Sequence, residues 1–277
     1  MTLDNVVIPS LATQTFQTYR PDTFWSCYDR WHYLRYPHRI TYQFNSRGFR
    51  DQEWPQDLKN ATWCLGDSVT VGLGAPWAHT WPQQLQNITQ QRTINLGIRG
   101  TNNATIAHLA NTVLQEVAPK NMVIVWSIFE RRPQDLNNLL DDSYSQQLIA
   151  PDVEHIQHFE QCLSRTKSNA TNVVHAFVPH YFALQHNTLD KIWNDLRGPD
   201  WPRVPRDTTD IPNHIMQELE ELHARDAVET ALYFNQVLDN IPNNLGEIQP
   251  RDLARDGTHF DIVTAGDLAH QIAQHLI

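Results

Sequence analysis

Ala61-Thr62-Trp63-Cys64-Leu65-Gly66-Asp67-Ser68-Val69-Thr70-Val71-Gly72 is the stretch on which the fold turns. Its first half is a short apolar run with β-branched and aromatic residues, bounded by a glycine, as a buried strand is. Gly66 permits a tight turn, and Asp67-Ser68 then supplies the small polar residues that start a helix. A serine at that point stands at the C-terminal edge of a sheet, where open α/β sheets bind ligands. Its own N–H belongs to a helix N-terminus, where a developing anion is favoured. Alone, Gly-Asp-Ser is equally well read as a turn with an N-cap.

The pattern repeats downstream. Apolar residues at Trp81, Leu85 and Ile88 have helical spacing, and Thr93 to Leu96 predicts a second strand closed by Gly97 and Gly100. Asn103 to Val117 is amphipathic, with Ile106, Leu109, Ala110, Val113, Leu114 and Val117 on one side and Pro119 beyond its end. Met122 to Trp126 is apolar throughout, which suits a strand buried on both faces. Val153 to Leu163 predicts a helix, Asn172 to Val178 a fourth strand stopped by Pro179, and Thr264 to Ile277 a closing helix. Strands alternating with helices indicate an α/β fold: a mostly parallel central sheet between helical layers. Residues 180–212 are polar and broken by Pro199, Pro202, Pro205 and Pro212, and His214 to Leu238 reads as one long helix or two.

Upstream, residues 1–58 are rich in aromatics and prolines. Thr41 to Phe44 alternates as a short strand does, and Asn45-Ser46-Arg47-Gly48 is turn chemistry. This region lacks the periodicity for a core of its own. It is expected to be an extension packed on a domain of residues 59–277, which carries a helical insertion at about 180–240.

Composition narrows the function. With 277 residues and 40% hydrophobic content, the chain can bury a core without covalent staples. Cys27, Cys64 and Cys162 are far apart and show no metal-ligand spacing, so thiols in a reducing compartment are expected. The net charge of −10, with no basic stripe around Arg131-Arg132 or Arg197, Arg203 and Arg206, disfavours nucleic acid as a partner. No apolar run reaches the roughly 18 residues of a membrane helix. The N-terminus does not read as a signal peptide, and a cytoplasmic protein is expected.

Asp256-Gly257-Thr258-His259 lies immediately before the closing helix. Asp and His three apart on one turn can face the same way. The imidazole then accepts a serine proton while the carboxylate fixes its tautomer. Among 14 histidines, a lone Asp-x-x-His is ordinary. The conjunction in chain order Ser68, Asp256, His259 is not.

These blocks resemble the SGNH/GDSL hydrolases. Gly66-Asp67-Ser68 is similar to the first signature block, Asn95-Leu96-Gly97-Ile98-Arg99-Gly100-Thr101 to the second, and Asp256-Gly257-Thr258-His259 to the fifth. Trp81-Pro82 is similar to a pair often found at the start of the intervening helix. The resemblance covers roughly residues 60–180 and 245–277. It implies a three-layer α/β/α sandwich, flavodoxin-like in arrangement, and a serine esterase without a cofactor or metal. In it Ser68 is the nucleophile, Asp256 and His259 its partners, and the N–H groups of Ser68 and Gly100 the oxyanion donors. The implied substrate is a small-molecule or carbohydrate ester, such as an O-acetyl group or a short-chain ester.

The third block departs from the family. Gly-x-Asn-Asp is replaced after Trp126 by Ser127-Ile128-Phe129-Glu130-Arg131-Arg132, which puts Phe129 where the asparagine donor belongs. Losing one oxyanion donor costs about 3–4 kcal/mol of transition-state stabilisation. Arg131 or Arg132 is the favoured replacement, since a guanidinium is always charged and rich in donors. Ser127 is a further candidate, and ion pairs of the arginines with Glu130 or Asp135 are the plain alternative. A binding or structural protein of the same fold, weakly active or inactive, is the competing reading. Asp67, Asn102 and Asn103 read as caps. His155, His158, His175 and His180 lack a completing carboxylate for a metal site. Trp193 and Trp201 either stack on a sugar or pin an irregular segment.

Overall fold

The computed structural model describes residues 2–16, 40–127, 153–178, 236–251, 259 and 261–276. Seven strands and five α-helices lie among the described residues. β1 (Thr15–Phe16) and β2 (Tyr42–Gln43) form a short antiparallel ribbon. The others are β3 (Thr62–Gly66), α1 (Ser68–Val71), α2 (Trp81–Thr89), β4 (Thr93–Gly97), α3 (Asn103–Glu116), β5 (Asn121–Trp126), α4 (Val153–Ser164), β6 (Asn172–Phe177), β7 (Asn244–Glu247) and α5 (Ile262–Ala273).

β3 to β7 make one five-stranded sheet in the order β4-β3-β5-β6-β7, and every pairing is parallel. The expected α/β sandwich with a parallel sheet is therefore present. Alternation along each strand feeds two cores. Trp63, Leu65, Ile94, Leu96, Met122, Ile124, Trp126 and Phe177 face α3 and α4. Cys64, Val123, Val125, Val174 and Ala176 face α2 and α5, whose Trp81, Leu85, Leu268 and Ile272 close the opposite layer. From the N-terminal region, Leu3, Val6, Ile8, Leu11, Ile40, Tyr42, Phe44 and Phe49 are buried in the first of these cores.

The predicted elements that fall on described residues appear with ends moved by up to four residues, as expected where helix ends fray and caps decide. Asn102 sets the start of α3: its side chain accepts the Thr105 N–H at 3.0 Å. β7 is a strand that the sequence does not predict. Its four residues are half-buried and only Leu245 is apolar, so neither alternation nor apolar content marks it. It is an edge strand that exists because β6 offers it a ladder, with a register irregularity between His175 and Phe177. The predicted insertion at 180–240 lies almost wholly outside the described residues. Among those residues, no helix is long and apolar enough to cross a membrane.

One buried polar pair is built into the α4 side. Trp126 Nε1 donates to His175 Nδ1 at 3.0 Å, which puts the ring proton on Nε2. Burial pushes the imidazole down to about 4, so it stays neutral as an acceptor. Phe159 meets Trp126 edge-on at 5.0 Å and Phe177 at 5.8 Å. Phe159→Ala is expected to cost about 3–5 kcal/mol, read as a lower urea midpoint with an unchanged slope.

Candidate active site

The sheet's switch point lies between β3 and β5: the chain steps from β3 to β4 on one side and then crosses to β5 on the other side of β3. Crevices at such points, outside the strands' C-terminal ends, are where open α/β sheets bind ligands. Ser68 sits there as the first residue of α1, 5% exposed. α1 is a single turn of four residues, shorter than the sequence suggests, so the local N–H groups matter more than any helix dipole.

The turn is packed through glycine backbone. A Cβ on Gly66 would overlap Thr70 Oγ1 and stand 2.8 Å from the Val125 carbonyl oxygen. Gly97, paired in register with Gly66, lies directly under α1: a Cβ there would overlap Val71 N and come within 2.8 Å of the Thr70 carbonyl carbon. Ile98 N–H donates to Gly66 O at 3.0 Å, which brings the loop after β4 against the serine's turn. Gly100 follows in that loop at φ 68°, a region that glycine enters without strain.

Asp67 works on both sides. One carboxylate oxygen accepts the Val69 N–H at 2.9 Å and so caps α1; the other accepts the Ser127 hydroxyl at 2.7 Å. Ser127 thereby commits its proton to Asp67. Asn103, expected to cap α3, instead bridges Ser127 with its amide, accepting the Ser127 N–H at 2.8 Å and donating to the Ser127 carbonyl at 3.0 Å. The ends of β3, β4 and β5 are thus tied together by buried side chains.

His259 is half-buried and precedes α5 by three residues. The far end of α5 marks its direction: the His275 carbonyl accepts Asn172 Nδ2 at 2.7 Å, at the start of β6. The beginning of α5, with His259 before it, is therefore at the strands' C-terminal edge, the edge that carries Ser68. Val69, next to the serine, packs in the same cluster as Ala265 and Leu268 of α5. Asp256, Phe129, Arg131 and Arg132 lie outside the described residues. Among the described residues, no group of three His, Cys, Asp or Glu side chains could hold a metal.

A cavity of about 920 Å³ lies elsewhere, lined by Lys120, Thr171, Asn172 and Asn243 among others. Those residues stand at the starts of strands, so this cavity opens at the edge opposite Ser68. Depth alone does not locate chemistry, and Ser68 stands at the other edge of the sheet.

A second set of residues around α1 carries no mark in the sequence. Arg50 bonds to the serine's turn and Asp51 to Asn95 beside it, and neither Arg50 nor Asp51 belongs to a recognisable motif. Burial pushes the Asp51 carboxyl up to about 6, against the pull of the Arg92 guanidinium at 2.9 Å and the Asn95 N–H.

The chain resembles GDSL-type hydrolases in structure. A protein assigned to the lipolytic G-D-S-L family from Desulfitobacterium hafniense DCB-2 matches at 14% identity and TM-score 0.41, over 78% of this chain and 99% of that one. A carbohydrate esterase family 2 enzyme with a carbohydrate-binding domain from Corynascus thermopiles matches at 11% and 0.42, over 80% and 67%. AlinE4, an SGNH-hydrolase family esterase, matches at 15% and 0.31, over 64% and 99%. No protein-family model and no curated protein sequence matches the chain. At these values the likenesses say nothing of chemistry, and the case for the site rests on its residues.

Two outcomes check this geometry. Ser127→Ala removes the hydroxyl that donates to the buried Asp67 carboxylate and is expected to cost about 1–3 kcal/mol in chemical denaturation. The Asp51 carboxyl is held above its ordinary value, so its contribution to stability is full below 3.8 and is lost as pH rises through about 6. Asp51→Asn is therefore expected to flatten the fall in urea midpoint across that window; an undiminished fall assigns it to other groups.

Proposed function

We propose that this chain is a serine-dependent ester hydrolase. The observation that carries the reading is the placement of Ser68 at the sheet's switch point with His259 delivered to the same edge ahead of α5. In this reading Ser68 Oγ attacks an ester carbonyl and His259 takes the hydroxyl proton, with Asp256 holding the imidazole in its tautomer. The N–H groups of Ser68 and Gly100 stabilise the oxyanion. The tetrahedral intermediate collapses, the ester C–O bond breaks, and His259 returns its proton to the departing alcohol. Water then loses a proton to His259 and attacks the acyl-enzyme, which releases the acid and restores Ser68.

The buried, backbone-packed turn supports this chemistry because a nucleophile is most effective when its position is fixed before substrate arrives. Arg131 or Arg132 supplies the third oxyanion contact in place of the family's asparagine. An acyl ester on a small molecule or carbohydrate, O-acetyl or short-chain, is the proposed substrate class; this follows the resemblance of the signature blocks. The competing reading, a binding protein of the same fold, draws on Phe129 at the asparagine position and on the Ser127 hydroxyl being engaged by Asp67.

A fluorophosphonate probe and p-nitrophenyl acetate separate the two. The wild type is expected to label covalently and turn over ester, while Ser68→Ala loses both with its fold intact. A folded wild type that does not label decides for the binding protein. Arg131→Ala or Arg132→Ala is expected to lower kcat by about tenfold or more if it provides the missing donor. Unchanged kcat in both refutes that assignment.

A further inference from the structure

We infer that Asn45–Asp51 is a built-in clamp on the turn of Ser68, with Arg50 and Asp51 as positioning residues; this rests on the serine-hydrolase reading. Arg50 is an arginine buried to 1% exposure, yet its guanidinium is directed at main chain. Nη1 donates to the carbonyls of Val71 (3.2 Å) and Gly72, and Nη2 to those of Ala75 (2.9 Å) and Thr41 (3.4 Å). The carbonyls of Val71, Gly72 and Ala75 belong to the exit from α1. A one-turn helix cannot hold itself, because nucleation fixes several dihedrals for a single hydrogen bond. A buried cation at its carbonyl end supplies what the missing turns would. Tyr42 adds a second hold: its ring lies 4.2 Å beneath the guanidinium, and its hydroxyl oxygen accepts the Gly74 N–H at 2.9 Å.

Asp51 holds the neighbouring strand. β4 is at the sheet's edge, so the Asn95 N–H has no strand to donate to and is taken by Asp51 Oδ2 at 3.0 Å. The Asn95 side chain then joins the two loops of the site, donating to the Thr70 carbonyl at 2.9 Å and accepting the Gly97 N–H at 2.8 Å. Thus one dipeptide reaches the serine's turn from its far end and, through Asn95, from its near side. The dipeptide is itself braced. Asn45 Oδ1 accepts the N–H groups of Arg47 (3.0 Å) and Phe49 (3.1 Å), and Gly48, at φ 81°, lies so close to the Ile8 carbonyl that no side chain fits.

Arg50→Lys tests this in the full chain. The lysine keeps the charge but cannot span carbonyls that diverge from one plane. Its fluorophosphonate labelling rate and its kcat on p-nitrophenyl acetate are expected to drop by about tenfold or more, with KM within about twofold and the circular dichroism spectrum unchanged. Amide hydrogen exchange at Gly72, Leu73 and Gly74 is expected to accelerate while β5 stays protected. A folded Arg50→Lys with wild-type rates and wild-type protection overturns the clamp. If Arg50→Lys does not fold, Tyr42→Phe decides by the same two readouts, since it removes the acceptor for Gly74 and keeps the ring beneath Arg50; wild-type behaviour there overturns it equally. A wild type that never labels defeats the hydrolase reading instead, and the exchange measurement still tests the clamp.

Discussion

The site depends on backbone meeting backbone. Gly66 and Gly97 end adjacent parallel strands in register, and neither has room for a methyl group, because the Thr70 hydroxyl lies against one and the turn of Ser68 against the other. Close approach removes the freedom that a serine at the end of a strand would otherwise have. Polar groups drawn into that contact must then be satisfied where they stand, since a buried unpaired donor or acceptor costs about 1–3 kcal/mol. Asp67, Asn95 and Asn103 meet that demand, each with two side-chain bonds. Site and core are therefore one structure.

The parallel sheet is legible in the sequence because its strands are apolar on both faces and spaced by amphipathic helices. Trp63, Met122, Val123 and Val174 announce burial by chemistry alone. β7 is not legible: Asn244 to Glu247 pair only because β6 presents an edge, which is a tertiary cause that leaves no local trace. Asn103 shows a related limit. Its place at the head of a helix reads as a cap, yet the neighbouring strand end at Ser127 takes its amide, while Asn102 does the capping.

Of the site, Ser68 and His259 are marked by order along the chain, with a glycine before one and a helix after the other. Arg50 and Asp51 are not, although they follow directly on a turn that the sequence announces. A charged pair beside a turn ordinarily faces solvent. What distinguishes this pair is the need of the α1 carbonyls and the β4 edge for partners from outside the helix and the sheet. That need becomes visible once the sheet order is known.

β5 and β6 both end at the edge that holds Ser68, so the chain leaves the sheet after Ser127 and after Val178 at that same edge. Among the described residues, the parts that hold the serine are main-chain contacts and the buried side chains of Asp67, Asn95 and Asn103. A turn anchored in this way keeps its shape through close packing with its own sheet, so substitutions far out along either connection can leave it undisturbed.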